Sequence, residues 1–352
     1  MPMIQINETG RVDERDSAFP QIVQLPNGDI LCSFSVGGGA NVTGGTELAL
    51  SRDGGRTWQP KGVILAPTTS PVTCNYLRLS IDRTNNRLFA YGSRTYDNDG
   101  TKAFGEKKNE PIICSSDDWG ETWSPPVVID SIEDCPLEIS HGVTHLSSGR
   151  MIAPAATLPS KDKLGETVYL AVSDDHGQTW SKHVKVFHDP AGKYGFFEHK
   201  FCELSPGRVM GVCWTVTLGD SVDQENHFVI SDDNGDTWST FHPTGIMGQT
   251  MTPFWLGDDR LLVLYNRRYG QQGVVALLVR FTETSWQIEH ETLLYDAKAV
   301  REREQNTGID ELKAFAFGFP TAIALSDGQY LATHWSVEND KCGIRWTRFS
   351  IN

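Results

Sequence analysis

The chain has 352 residues, 39% of them hydrophobic and 22% charged, and a formal net charge of −14. A surplus of carboxylates on that scale argues against nucleic acid or an anionic membrane surface as general partners, and leaves room for a small anionic ligand held by a local arginine cluster. No run approaches 18 apolar residues and Met1-Pro2-Met3-Ile4-Gln5 has no leader character, so a cytoplasmic location is expected, or a secreted or periplasmic one if a signal was removed.

Taken in chain order, the apolar runs come in pairs around short turns. Phe19–Ser35 folds about Asn27-Gly28, Tyr76–Ser93 about Asn85-Asn86, and His141–Thr157 about Ser148-Gly149. Glu198–Thr215 does so about Pro206-Gly207, Thr252–Arg267 about Asp258-Asp259, and Phe319–Ser336 about Asp327-Gly328. The turns at 28, 86, 149, 207, 259 and 328 lie 52 to 69 residues apart. Between them Ser-x-Asp-x-Gly-x-Thr-Trp occurs four times, at 51–58, 116–123, 173–180 and 231–238. Each copy follows an apolar strand, so each marks a second hairpin. Ser and Asp fold back on the local backbone, Gly supplies the turn, and Trp buries area beside it.

Two hairpins per unit make four strands, and six units make an all-β, six-bladed propeller covering 1–352 as one domain. The alternatives are a β-sandwich or a β-helix of the same hairpins. The fifth unit keeps a remnant, Thr282-Glu283-Thr284-Ser285-Trp286. The sixth ends after its third strand, so the N-terminal segment Met3–Asn7 is expected to supply the fourth and close the ring. The charged stretch Asp296–Lys313 reads as helix-like, either a solvated insertion or a rim over the site. Seven cysteines with no metal-type spacing read as reduced thiols, with Cys32, Cys114, Cys202 and Cys213 buried in strands.

The motif in a six-bladed ring resembles the Asp-box, or BNR repeat, of the sialidase superfamily. That resemblance implies a structural role for the motif and a site around the axis. There, a sialidase carries three arginines, a Tyr–Glu pair and an Asp acid/base. Several of these places are changed. Phe19 stands where the first arginine is expected, with Arg15 and Asp16 nearby; the loop 37–45 contains no carboxylate; and Phe319 replaces the tyrosine nucleophile. Glu198 matches the family glutamate, five residues before Glu203-Leu204, with His199 beside it. Arg267 and Arg268 fall at another family arginine and are expected to form an anion clamp, with Tyr269 adjacent.

Further ring candidates are Asn75, Arg94, Asp97, His141 and Trp335, the last for stacking on sugar. His141 and His145, spaced by four on one strand face, are weighed as metal ligands but lack a third partner, so no metal and no cofactor is expected. The expected function is hydrolysis of an acidic, carboxylate-bearing sugar. Glu198 or His199 would act as acid or base, Asp97 as second carboxylate, and Arg267 and Arg268 would hold the anion. Two alternatives stand beside it. One is a lyase on uronate-containing glycan, with His141 or His199 as base and Tyr269 assisting. The other is a glycan-binding propeller without catalysis.

Overall fold

The computed structural model describes residues 2–97, 105–302 and 316–352. Its strands form six antiparallel sheets, and the helical elements among the described residues are two short 3-10 turns, Gly39–Asn41 and Lys161–Lys163. Blade 1 runs Ser17–Gln24, Ile30–Val36, Gly45–Ser51 and Gln59–Leu65 from the inside outwards, each strand pairing with the next. Blades 2 to 5 repeat this order. Their inner strands are Val72–Asp82, the broken pair Leu137–Glu138 and Thr144–His145, Tyr194–Ser205, and Gln249–Gly257. The inner strand of each blade touches the preceding blade around the ring, and that of the first touches the sixth. This is the six-bladed propeller that the repeat spacing predicts.

Blade 6 is completed from the other end of the chain. Phe317–Ala324, Tyr330–Glu338 and Lys341–Ile351 are joined by Ile4–Asp13, in register from Ile4 opposite Ile351 to Asp13 opposite Ile344. Apolar clusters fill the spaces between neighbouring blades. One holds Leu31 and Leu48 of blade 1 against Leu77, Leu88 and Ile112 of blade 2. Another holds Ile4 of the closing strand against Leu262 and Leu264 of blade 5 and Phe349 of blade 6. Burial on both faces is what a blade between two neighbours requires, and it explains the near-continuous apolar runs.

The Asp-boxes are peripheral turns. Ser116 Oγ donates to Asp118 at 2.8 Å and accepts from the Gly120 N–H at 2.8 Å, while the Thr122 N–H and hydroxyl both donate to Asp118. The other three copies repeat this net. The remnant in blade 5 keeps a Thr282–Ser285 turn, with Trp286 packed 5.5 Å from Phe228.

Two expectations change. Asp296–Arg301 continues the outer strand Trp286–Arg301 of blade 5 and is not helical; residues 303–313 of that stretch lie outside the described residues. Cys202 is only half-buried, while Cys32, Cys114 and Cys213 are buried, and all seven thiols are free. No helix among the described residues is long and apolar enough to cross a membrane.

Candidate functional site

Four inner strands carry the same irregularity. Their pairing slips between Ala18 and Gln21 in blade 1, Phe197 and Lys200 in blade 4, Gln249 and Met251 in blade 5, and Gly318 and Thr321 in blade 6. At each slip one non-glycine residue has positive φ: Phe19 at 57°, Glu198 at 48°, Thr250 at 50° and Phe319 at 54°. Bulges of this kind re-aim a side chain, and side chains larger than glycine rarely accept that backbone conformation without compensation. The four bulged residues meet in two pairs. Phe19 and Phe319 pack edge to face at 4.8 Å, and the Thr250 hydroxyl donates to Glu198 Oε2. The ring thus spends four local strains on one axial place, which marks that place as a candidate site.

Blades 2 and 3 complete it. Phe19, Tyr76, His141 and Glu198 are half-buried there, in front of Arg78, Glu138, Lys200 and Arg268, which are buried. The Arg78 guanidinium lies 4.6 Å from the Phe319 ring centre, 5.0 Å from Tyr76 and 5.7 Å from Phe19. Glu138 Oε2 accepts the backbone N–H of Glu198 at 3.2 Å. Lys200 donates to the Ser140 carbonyl and sits 4.6 Å over Phe319. Arg268 donates to Gln249 Oε1 at 2.9 Å and to the Phe317 carbonyl at 3.0 Å.

Desolvation governs the protonation of this cluster. Burial drives the Glu138 carboxyl up to about 8, with the Glu198 charge adding to the effect. Burial also raises Glu198, against the Thr250 hydrogen bond and the charges of Arg268, Lys200 and Arg78. The Lys200 ammonium is pushed well below its ordinary range by burial and by Arg78. His199 is lowered to about 3 and His141 well below its ordinary value, burial leading in both, so both imidazoles are neutral near pH 7. The place combines carboxyls held towards their acid form with guanidinium charge, a set suited to proton exchange with a ligand.

The other expected residues are dispersed. Arg267 and Arg268 leave their strand end in different directions, so the two-arginine clamp does not form. Arg267 reaches Glu291 of the outer strand at 2.5 Å and the Gln271 carbonyl at 2.7 Å, while Arg268 turns inwards. Trp335 is 2% exposed in the core between blades 1 and 6 and has no face for a sugar. His199, fully buried beside Phe201, does not reach the axial surface. His141 and His145 separate because the inner strand of blade 3 is broken between them. His145 donates to or accepts from Ser80 at 2.9 Å, and no cluster of three metal-type ligands occurs among the described residues.

Arg15 is half-exposed and paired with Asp13 and Glu47. Asp16 accepts the Gly38 N–H at 2.9 Å and so ties down the glycine loop. Asn75 is buried and accepts the Thr46 hydroxyl. Arg94 is paired with Glu110 at 2.6 Å, and Asp97 is exposed on the rim. The Tyr269 hydroxyl donates to Asp223 at 2.6 Å, and the Trp214 indole donates to the same carboxylate at 2.7 Å. The carboxyl adjoining Glu198 is therefore Glu138 and not Asp97. Arg78, Glu138, Lys200 and Thr250 were not singled out from sequence. The available signals were charged residues inside otherwise apolar strands, and a proline after Phe19 and after Phe319, which within a strand marks a bulge or an edge.

The chain belongs to the BNR repeat-like domain family, whose model matches residues 46–330. Among solved structures it is similar over its full length, and the full length of the other chain, to a protein of unknown function from Dyadobacter fermentans, at 20% identity and a TM-score of 0.80. An intramolecular trans-sialidase from Ruminococcus gnavus, in complex with oseltamivir carboxylate, matches at 14% identity and a TM-score of 0.65, covering 95% of this chain and 94% of that one. A Penicillium chrysogenum alpha-L-arabinanase complexed with arabinobiose matches at 14% identity and a TM-score of 0.67, covering 97% and 98%. These likenesses establish the propeller fold. No curated protein matches the chain.

Proposed function

We propose that this propeller is a carbohydrate-active enzyme of the glycoside hydrolase type, acting on an acidic sugar at the axial place described above. The observation that carries the reading is Glu198. It is half-buried, aimed inwards by a bulge, and held towards its protonated form by burial. A carboxyl in that state donates a proton to a departing glycosidic oxygen at neutral pH. Phe319 provides no phenol, so an aryl-linked intermediate at that position is not part of the scheme. Glu138 lies behind the Glu198 backbone and is 7% exposed, so its role is to position Glu198 and not to touch substrate. Two structures with this fold, a trans-sialidase and an arabinanase in complex with arabinobiose, are consistent with a carbohydrate ligand.

A second reading, a lyase on uronate-containing glycan, is favoured by His141, which is half-buried, neutral and beside Arg78. One experiment decides between them. Sialylated and uronate-containing oligosaccharides are incubated with the protein and with Glu198→Gln, and both reducing ends and the ultraviolet absorbance of unsaturated sugars are followed. Hydrolysis releases reducing ends without absorbance, and Glu198→Gln lowers kcat by about 10²–10⁴-fold. Unchanged turnover in that variant would remove Glu198 from the chemistry. An absorbing product lost in His141→Ala would establish the lyase.

A further inference from the structure

Arg78 is 1% exposed, and none of its three side-chain nitrogens has a hydrogen-bond partner. Its surroundings explain what is left open. Phe19, Tyr76 and Phe319 lie 4.6 to 5.7 Å from the guanidinium carbon, in the distance range of cation–π contact. Such rings stabilise the charge but accept none of its N–H groups as a carboxylate does. The carboxyls whose charges reach it, Glu138 and Glu198, form no hydrogen bond to it. Taking a cation out of water without pairing it is costly, so a site that keeps one has a use for it. Two of the three rings, Phe19 and Phe319, belong to residues that the backbone holds at positive φ, so the cage itself rests on strained positions.

We propose that Arg78 is the anion receptor of this propeller, taking the carboxylate of an acidic sugar through its unoccupied N–H groups, with Phe19, Tyr76 and Phe319 as the walls of that subsite. The proposal rests on reading the axial place as a site for an acidic sugar, and adds the receptor for its acid group. A planar carboxylate offers two acceptor oxygens at the spacing of the guanidinium fork. Arg15, Arg94 and Arg267, by contrast, already have carboxylate partners. Half-buried Phe19 and Tyr76 cover the guanidinium, so a ligand reaches its N–H groups by turning these rings aside, and a sugar ring has apolar C–H faces to set against them.

The test is binding, which separates it from catalysis. Calorimetry compares N-acetylneuraminate and glucuronate with glucuronamide, which lacks the charge, on the wild-type protein and on Arg78→Met. At least one acid is expected to bind the wild type more tightly than the amide. The preference falls by roughly 10- to 100-fold in Arg78→Met, as expected for a lost charge-assisted pair. The variant's Tm is expected to hold or rise, because an unpaired buried charge has been removed. Equal affinity of acid and amide for the wild type overturns the proposal whatever the variant does. So does an acid preference that survives in a folded Arg78→Met. Neither result touches the role of Glu198, which is read from turnover in Glu198→Gln.

Discussion

Glu138 shows most plainly how one position sets the chemistry of its neighbours. It is 7% exposed and faces Glu198, His199, Lys200 and Arg78, yet the contacts to it are the Glu198 N–H at 3.2 Å and a neutral His199 at 3.7 Å. That is too little to hold a buried carboxylate ionised, and burial raises its carboxyl to about 8. The sign follows from linkage. A carboxyl raised from 4.5 contributes stability that is complete below 4.5, declines as pH rises, and is gone above about 8. The decline has a limiting slope of about 1.4 kcal/mol per pH unit. Glu138→Gln keeps an acceptor for the Glu198 N–H and removes the titration. The stability of the wild type relative to Glu138→Gln should therefore fall between pH 4.5 and 8 and level off above, measured by urea unfolding across that range. A difference that does not vary with pH would show that Glu138 is ionised throughout.

At the scale of the element, the chain uses two kinds of irregular backbone for opposite ends. The Asp-box turns lie at the periphery and satisfy themselves, with each motif Asp receiving the hydroxyl and N–H of the motif Thr. The Thr122 and Thr179 side chains, and then their N–H groups, hold Asp118 and Asp175 down at about 2. A lowered carboxyl contributes stability that is present above its unfolded value of 3.8 and is lost as pH falls through about 2. Calorimetry should therefore show Tm dropping between pH 4 and 2, with a shallower drop in Asp118→Asn, which also has a lower Tm at pH 7. An equally steep drop in the variant would mean that other carboxylates control acid unfolding. The inner-strand bulges do the reverse and direct groups at one another. The turns were legible because their chemistry is local and repeated. The bulges were not, because a slip such as Phe197 to Lys200 depends on what blades 3 and 5 place opposite it. Alternation through Glu198-His199-Lys200 places His199 at the surface only if the strand is regular. The bulge turns Glu198 to the axis and buries both neighbours.

For the whole molecule, the repeat spacing predicted both the ring and its closure, since six copies of one unit with a strand missing leave a single place for the N-terminal segment. What it could not predict is which charged residues cross the axis, because Arg78 meets Phe319 only once the ring is shut. Closure should therefore matter for stability and for the site together. The closing strand Ile4–Asp13 pairs along Lys341–Ile351, and Ile4, 6% exposed, packs with Leu262, Phe317 and Phe349. Without it blade 6 exposes an open edge and blade 5 loses cover, so a chain lacking residues 2–13 is expected to lose several kcal/mol, on the order of 10 °C in Tm. Simple loss of chain length is separated from loss of closure by a circular permutant. Met3 and Asn352 exchange both backbone hydrogen bonds at 2.9 Å, so a short glycine linker can join the ends, with new termini cut in the exposed turn at Asn27-Gly28. That permutant keeps every strand of blade 6 and should melt within a few degrees of the parent. If it melts as low as the truncated chain, covalent order and not ring closure governs stability. If the truncated chain melts like the parent, the closing strand is dispensable.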